Sequence, residues 1–248
     1  MADTYTHIVL ITGANQGIGF ETAKKLATEH ADYHIILSGR RAQAVDDAVA
    51  RLHALGLTNL EPLVLDITSD ESITAAAAAV ASKHGRLDAL INNAAVAVAD
   101  QAKSFPRDEW LRIYNANVAG TALVTDAFLP LLEKAKGVKR IVNVSSGLGG
   151  LAEKADKAQF VHRLEYGAYS VSKAALNSLT LHYAARYDDD ETWKINMVCP
   201  GLCSTNLNRF LAAGEDPAMG AIVACWAATL GVDGETGTFR DRHGVKAW

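Results

Sequence analysis

Six short runs rich in Ile, Val and Leu recur along this chain, at residues 7–11, 33–37, 61–65, 87–91, 139–144 and 193–198, with longer amphipathic stretches between them. The runs show little polar alternation, as strands covered on both faces should. The stretches between predict helices at 17–29, 41–55, 70–83, 107–134 and 167–187. The alanine run at 75–79 belongs to the third of these; Thr68 and Glu71 stand at capping-box spacing before it, and Gly85 is placed to stop it. Such alternation predicts an α/β fold built on a doubly wound parallel sheet, because right-handed crossovers lay helices on both faces. No Pro/Gly/Ser-rich linker and no repeat at solenoid spacing interrupts the pattern, so residues 1–248 are read as one domain.

Composition narrows the function classes. With 248 residues, 49% of them hydrophobic and 21% charged, the chain can bury a core without disulfides or a metal. A formal charge of −4, spread without runs, gives no electrostatic reason to expect nucleic acid or an anionic membrane. Three cysteines, an odd number, fit a reducing compartment. Residues 1–7 carry no basic region followed by an apolar stretch, and no run approaches the roughly 20 apolar residues of a membrane span. The expectation is a soluble, cytoplasmic protein.

The first strand runs into Thr12-Gly13-Ala14-Asn15-Gln16-Gly17-Ile18-Gly19, and a helical pattern follows at once. A helix N-terminus offers unpaired N–H groups and positive partial charge to a pyrophosphate, and glycines let the backbone approach it closely. The spacing is Gly-x-x-x-Gly-x-Gly, and a merely structural turn is the alternative; the strand–turn–helix setting favours a dinucleotide. At the end of the second strand an NAD site usually presents a carboxylate to the ribose. Here Ser38-Gly39-Arg40-Arg41 offers two guanidiniums, which suit a 2′-phosphate and point to NADP(H) unless they only solvate a helix start.

Tyr169 and Lys173 are four apart in a helical stretch and share a face. An ammonium beside a phenol favours the phenolate and brings the group toward the range useful for acid–base chemistry. Alone, such a pair could be a surface pair, Ser146 a loop hydroxyl and Asn117 a helix amide. Cys199 and Cys203 lack a second ligand pair, which favours buried thiols over zinc, and no metal is expected. His162 and His182 are read as solvated or capping residues.

Together these positions resemble the short-chain dehydrogenase/reductase family, in its single-domain branch of about 250 residues, over nearly the whole chain. Thr12, Gly13, Asn15, Gln16, Gly17, Ile18 and Gly19 match its nucleotide turn; Asp66 and Ile67 match the segment near the adenine; Asn93 and Ala94 match the segment after the fourth strand, although the family's usual next glycine is Ala95 here. Asn117, Ser146, Tyr169 and Lys173 match the catalytic tetrad, and Pro200, Gly201 and Thr205 the border of the nicotinamide. Within the family, the Thr-Gly-Ala-Asn turn, Arg40 and the ending from Gly237 to Trp248 are most similar to carbonyl reductases.

The resemblance implies a Rossmann-type fold and NADPH-dependent reduction of a ketone or aldehyde, or the reverse oxidation, with Arg40 at the 2′-phosphate. Tyr169 would be the general acid/base, Ser146 would orient the carbonyl, Lys173 would hold the ribose and depress the tyrosine pKa, and Asn117 would hold a water in a proton relay. Ser146 and Tyr169 are 23 positions apart, more than is common in the family. The segment 147–165 between them is therefore expected to form an added loop or short helix at the cleft rim, one that could obstruct assembly and favour a monomer over a homo-oligomer. Residues 205–219, with Phe210, Leu211 and Trp226, are expected to form a mobile lid bounded by Gly214 and Pro217. The apolar stretches 96–98, 148–151 and 202–211 suggest a hydrophobic carbonyl substrate. Three rival readings stand beside this one. Tyr166, seven before Lys173, has the spacing of enoyl-type C=C reductases; a catalytically idle NADP-binding protein and a repurposed scaffold are the others.

Overall fold

The computed structural model describes residues 5–98 and 100–248; the expectation drawn from residues 1–4 lies outside them. Eight strands join in one sheet: β1 (His7–Ile11), β2 (Tyr33–Gly39), β3 (Leu60–Val64), β4 (Ala89–Asn92), β5 (Lys139–Val144), β6 (Trp193–Val198), β7 (Phe239–Asp241) and β8 (Gly244–Val245). Their order is β3-β2-β1-β4-β5-β6-β7-β8, parallel throughout except for the β7–β8 pair. This is the expected doubly wound, Rossmann-type sheet. β7 and β8 escape a sequence reading because three and two residues are too few to show a period.

The helices are α1 (Gly17–Glu29), α2 (Ala42–His53), α3 (Asp70–His84), α4 (Arg107–Tyr114), α5 (Thr121–Leu132), α6 (Leu151–Ala155), α7 (Gly167–Arg186) and α8 (Pro217–Ala228). Alternate residues of each central strand feed opposite core layers. Val9 and Ile11 pack with Ile35, Leu37, Leu26 and Ala224, on the side of α1, α2 and α8. Ile8 and Leu10 pack with Ile36, Val80 and Phe128, on the side of α3, α5 and α7. Each such aliphatic side chain contributes about 1.5–3 kcal/mol on full burial, which is why the runs are rich in Ile, Val and Leu.

Three local expectations are corrected. The single helix foreseen over 107–134 is α4 and α5 joined by a π-helical stretch at Asn115–Gly120, so Asn117 lies where the helical hydrogen bonding is re-registered. Gly120 belongs to that crowding: a Cβ there would come within 2.3 Å of the Ile67 carbonyl oxygen. The cap of α3 is Ser69, whose hydroxyl accepts from the Ser72 N–H at 3.2 Å, because Thr68 is already bonded to Asp66; Gly85 ends the helix in the left-handed region as expected. Trp226 is not at a lid. It lies on α8 with the Arg240 guanidinium 4.5 Å above its ring.

Candidate active site

β1 lies beside β2 on one side and β4 on the other, so the chain's winding reverses there and a crevice opens beyond the strands' C-terminal ends. A cavity of about 420 Å³ occupies it. Its lining includes Gly13, Asn15, Gln16, Gly17, Ile18, Arg40, Asp66, Ile67, Asn93, Ala94, Tyr169, Lys173, Pro200 and Thr205. Gly19, Asn117, Ser146 and Gly201 stand behind or beside that lining.

The floor is a close-packed turn. The Thr12 hydroxyl accepts from the N–H groups of Asn93 and Ala94, each at 3.0 Å, and Asn93 Nδ2 donates to the carbonyls of Thr12 at 2.9 Å and Gly13 at 3.1 Å. Gly13 is left-handed (φ 63°), and a Cβ on it would lie 2.8 Å from the Ala94 Cα. The N-terminus of α1 points into this cradle with no side-chain cap from Gln16 and no acidic residue in its first turn. By contrast α3 is capped and carries Asp70 and Glu71 in its first turn. An uncapped helix start beneath a glycine turn is a free anion site.

One end of the cavity is set by the residues that follow β2 and β3. Arg40 and Arg41 are exposed, and neither side chain has a hydrogen bond or ion pair among the described residues, so both guanidiniums are available to an anion. Burial opposes ionisation of Asp66. Hydrogen bonds from the Thr68 hydroxyl (2.7 Å) and N–H (2.9 Å), with the Arg40 charge, outweigh it and hold the carboxyl below its usual range. These residues fit a phosphorylated dinucleotide: a phosphate cradle at one end, a cationic corner at the other, and a polar edge between.

At the far end, α7 brings Tyr169 and Lys173 up to β5. Lys173, 2% exposed, donates to the Val144 carbonyl at 2.7 Å, and its nitrogen lies 5.8 Å from the centre of the Tyr169 ring. Ser146 follows β5; its hydroxyl accepts from the Leu148 N–H at 3.2 Å. Burial pushes the Tyr169 phenol well above the usual tyrosine range, against the pull of Ser146, and pushes the Lys173 ammonium down to about 8, against the influence of Cys199. A lysine lowering its neighbour's pKa is therefore not the balance in the bare protein. Desolvation disfavours both charged forms and dominates.

Asn117 is tied to two neighbouring segments. Its side-chain oxygen accepts from the Val96 N–H at 2.8 Å, and its Nδ2 donates to the Val96 carbonyl at 2.8 Å and to Ser172 Oγ at 3.0 Å. Ser172 in turn donates to the Tyr169 carbonyl at 2.7 Å. The amide is a clamp between the segment after β4 and α7, with both of its N–H donors and one lone pair of its oxygen engaged. Ser172 is the residue that sequence reasoning missed; its signal was its place one before Lys173 on the helix facing Asn117. Val96 and Ala97, of the apolar stretch 96–98, line the cavity, and Ser145 and Arg112 do so unforeseen. Cys199 was foreseen as buried but not as a neighbour of the site, where its Sγ accepts from the Gly147 N–H at 3.1 Å. Cys203 and Cys225 are buried and free.

The rim follows the expectation in part. Residues 147–165 form two 3₁₀ turns and α6, an added element braced by Lys154, whose ammonium donates to the carbonyls of Val161, His162 and Leu164 at 3.1, 3.2 and 2.7 Å. His162 belongs to this brace, its Nδ1–H donating to the Lys154 carbonyl at 2.8 Å, and His182 is exposed. In the 205–219 segment, Gly214 packs against Ser204, where a Cβ would come within 2.5 Å of its nitrogen, and Pro217 opens α8. Arg209 and Phe210 are consecutive non-glycine residues with φ of 54° and 56°. Tyr166 sits at the start of α7 in an apolar cluster with Val98, Ile113 and Trp110, outside the cavity lining.

Comparison with known proteins accords with this geometry. The sequence profile of the family described as short chain dehydrogenase matches residues 7–216. The short-chain dehydrogenase anuI of Penicillium roqueforti is 37% identical over 209 residues, covering 83% of this chain and 82% of its own. The bovine dehydrogenase/reductase SDR family member 4 is 35% identical over 212 residues, covering 85% and 70%. Among solved structures, the NADPH-bound carbonyl reductase from chicken fatty liver superimposes with a TM-score of 0.84 at 26% identity, covering 98% of this chain and all of its own. The RhlG/NADP active-site complex of Pseudomonas aeruginosa gives 0.81 at 25% identity, covering 98% of each. Cradle, Ser–Tyr–Lys constellation and sequence agree, and this chain belongs to the short-chain dehydrogenase/reductase family.

Proposed function

We propose that this protein catalyses the NADPH-dependent reduction of a ketone or aldehyde, or the reverse alcohol oxidation, by hydride transfer. The observation that carries the reading is the meeting of Ser146, Tyr169 and Lys173, drawn from the end of β5 and from α7, at one end of a dinucleotide-shaped cavity. Two structural neighbours hold NADPH or NADP, and the free Arg40 and Arg41 supply the cationic corner that a 2′-phosphate requires. When bound, the cofactor supplies a hydride to the carbonyl carbon or accepts one from the alcohol. Gly13, Asn15, Gln16, Gly17, Ile18, Gly19, Asp66, Ile67, Asn93, Ala94, Pro200, Gly201 and Thr205 would hold it, with Lys173 at the ribose.

Tyr169 gives its proton to the carbonyl oxygen as negative charge develops there. Burial, which keeps the phenol protonated, suits a donor and disfavours premature loss of the proton. Ser146 already accepts from Leu148, so its own proton is free to point at the same oxygen and hold it in place. Lys173, poised near 8, can return a proton to the tyrosine without leaving its seat. The Asn117 side chain bonds Val96 and Ser172, and this residue, in the π-helical stretch, would hold the relay water that links Lys173 to solvent. None of these steps needs a metal.

The substrate is a small molecule of apolar character, because Leu151, Phe160, Leu202 and Phe210 stand exposed on the segments that follow Ser146 and flank Thr205. The added segment 147–165 favours a monomer. The free thiols fit the cytoplasm, and no helix among the described residues is long and apolar enough to cross a membrane.

The test is oxidation of NADPH against a panel of ketones, aldehydes, quinones and enones. Tyr169→Phe is expected to lose about 10²–10⁴-fold in turnover while binding NADPH within a few-fold of the parent. Turnover that survives Tyr169→Phe but is lost in Tyr166→Phe would replace this reading with C=C reduction. NADPH binding without oxidation of any carbonyl would leave an idle or repurposed cofactor-binding protein.

A further inference from the structure

Toward the other, N-terminal ends of β2 and β3 lies a cluster outside the cavity lining. His34 precedes the β2 residue Ile36 by two, and Glu61 of β3 is the registered partner of Ile36, so both side chains face the layer covered by α3. His84 is the last residue of α3 and completes the group. His34 Nε2 lies 3.1 Å from Glu61 Oε2, and His84 Nε2 lies 2.7 Å from Glu61 Oε1. One ligand atom from each residue falls within 4.8 Å of the others, and the three side chains are only 11%, 15% and 10% exposed.

His34 is the anomaly. Both of its ring nitrogens are buried and neither has a hydrogen-bond partner, although Nε2 is at contact distance from the carboxylate. Buried polar atoms are rarely left so, and the one that faces the carboxylate stands within the distance a shared ion would bridge. Two imidazoles and one carboxylate are a donor set for borderline transition-metal ions. Ligands at about 2.0–2.2 Å from a tetrahedral ion stand about 3.3 Å apart, so closing this group needs movements of about 1.5 Å or less. Lys83 now pairs with Glu61 Oε2, but its side chain is 63% exposed and can swing into water. The Tyr5 ring, 4.8 Å from that of His34, covers another side.

We propose that His34, Glu61 and His84 bind one divalent transition-metal ion, Zn²⁺ foremost, which clips β2 and β3 to the end of α3. The three ligands come from three elements, so the ion would fasten the strand that presents Arg40 to the helix whose Ser72 holds the Asp66 N–H (2.9 Å). The site is separate from Tyr169 and its role is structural. It goes beyond the sequence reading, which expected no metal, because a set drawn from two strands and a helix end has no motif spacing.

The full-length protein, stripped with a chelator and dialysed, is titrated with ZnCl₂ by calorimetry and with CoCl₂ by visible absorption. Expected are one ion per chain at about micromolar affinity or tighter, cobalt bands of nitrogen/oxygen type without a near-ultraviolet thiolate band, a raised thermal midpoint with Zn²⁺, and no response to Mg²⁺. His84→Gln and Glu61→Gln, each checked for native circular dichroism, should weaken binding about 30-fold or more, whereas His182→Gln should not. Absence of binding at 100 µM, binding unchanged in His84→Gln, or a thiolate band that assigns the ion to cysteine would each overturn the site.

Discussion

Lys173 donates its buried ammonium to the main-chain carbonyl of Val144 at 2.7 Å, so the residue expected to hold the ribose is itself anchored to the last residue of β5, two before Ser146. The contact holds the charge but does not replace lost hydration, and burial lowers its pKa from 10.5 to about 8. Below pH 8 both folded and unfolded chains carry the proton and the penalty is fully present. Between about 8 and 10.5 only the unfolded chain binds it, so this group makes stability rise with pH across that window. Against Lys173→Met, which removes the titration, the parent should gain about 2–3 kcal/mol between pH 7.5 and 10.5. Urea unfolding of both proteins at matched pH measures the difference, and parallel pH profiles would contradict the assignment.

Arg40 tests cofactor choice independently of chemistry. With no acidic partner among the described residues beyond its long-range influence on Asp66, its guanidinium is free to meet a phosphate. A hydrogen bond to a charged group is worth about 1.5–3 kcal/mol, so Arg40→Ala should cut the preference for NADPH over NADH about 10–100-fold, with NADH binding nearly unchanged. Fluorescence titration with both nucleotides reads the ratio. A ratio unmoved by the substitution would transfer the role to Arg41.

Asn117→Ala should act through position. It strands the Val96 N–H and carbonyl and frees Ser172, which holds the Tyr169 carbonyl. Leaving buried groups unpaired costs about 1–3 kcal/mol each, so a loss of about 2–4 kcal/mol in stability is expected together with a fall in kcat and little change in the nucleotide Kd. Ser172→Ala should show the same pattern more weakly. Asn117→Ala with parent-like unfolding and turnover would show that the clamp is idle.

The sheet and the cradle were legible because their signals are local. Burial on both faces leaves apolar runs such as Ile8 to Ile11, and a phosphate turn must put Gly13, Gly17 and Gly19 within a few residues of one another. What escaped depends on partners distant in sequence. Asn117 reads as a helix amide until Val96 and Ser172 are seen around it, and the π-helical stretch carries no periodic mark. The Tyr169–Lys173 spacing announces a pair, but the sign of each pKa shift is set by burial, which spacing does not report. His34, Glu61 and His84 are strewn over three elements and meet only when the sheet closes.

Gly19 sets two opposing effects against each other at one position. In a helix, glycine is about 1 kcal/mol worse than alanine, so propensity alone predicts that Gly19→Ala stabilises α1. A Cβ there, however, would stand 2.5 Å from Asn93 Nδ2 and 2.8 Å from the Gly13 carbonyl oxygen. Asn93 is bonded to Thr12 and Gly13 and has no flexible end to retreat with, so the methyl must push the α1 start away from the turn. Overpacking of this kind costs about 1–3 kcal/mol, more than the helix gains, and it spoils the surface on which a pyrophosphate would lie. Gly19→Ala should therefore lower the thermal midpoint by several degrees and weaken NADPH binding about tenfold or more. Gly137→Ala, where a Cβ meets nothing within 4 Å, should leave both unchanged. If Gly19→Ala proves as stable as the parent and binds NADPH as tightly, the close approach of α1 to the turn is not what builds the cradle.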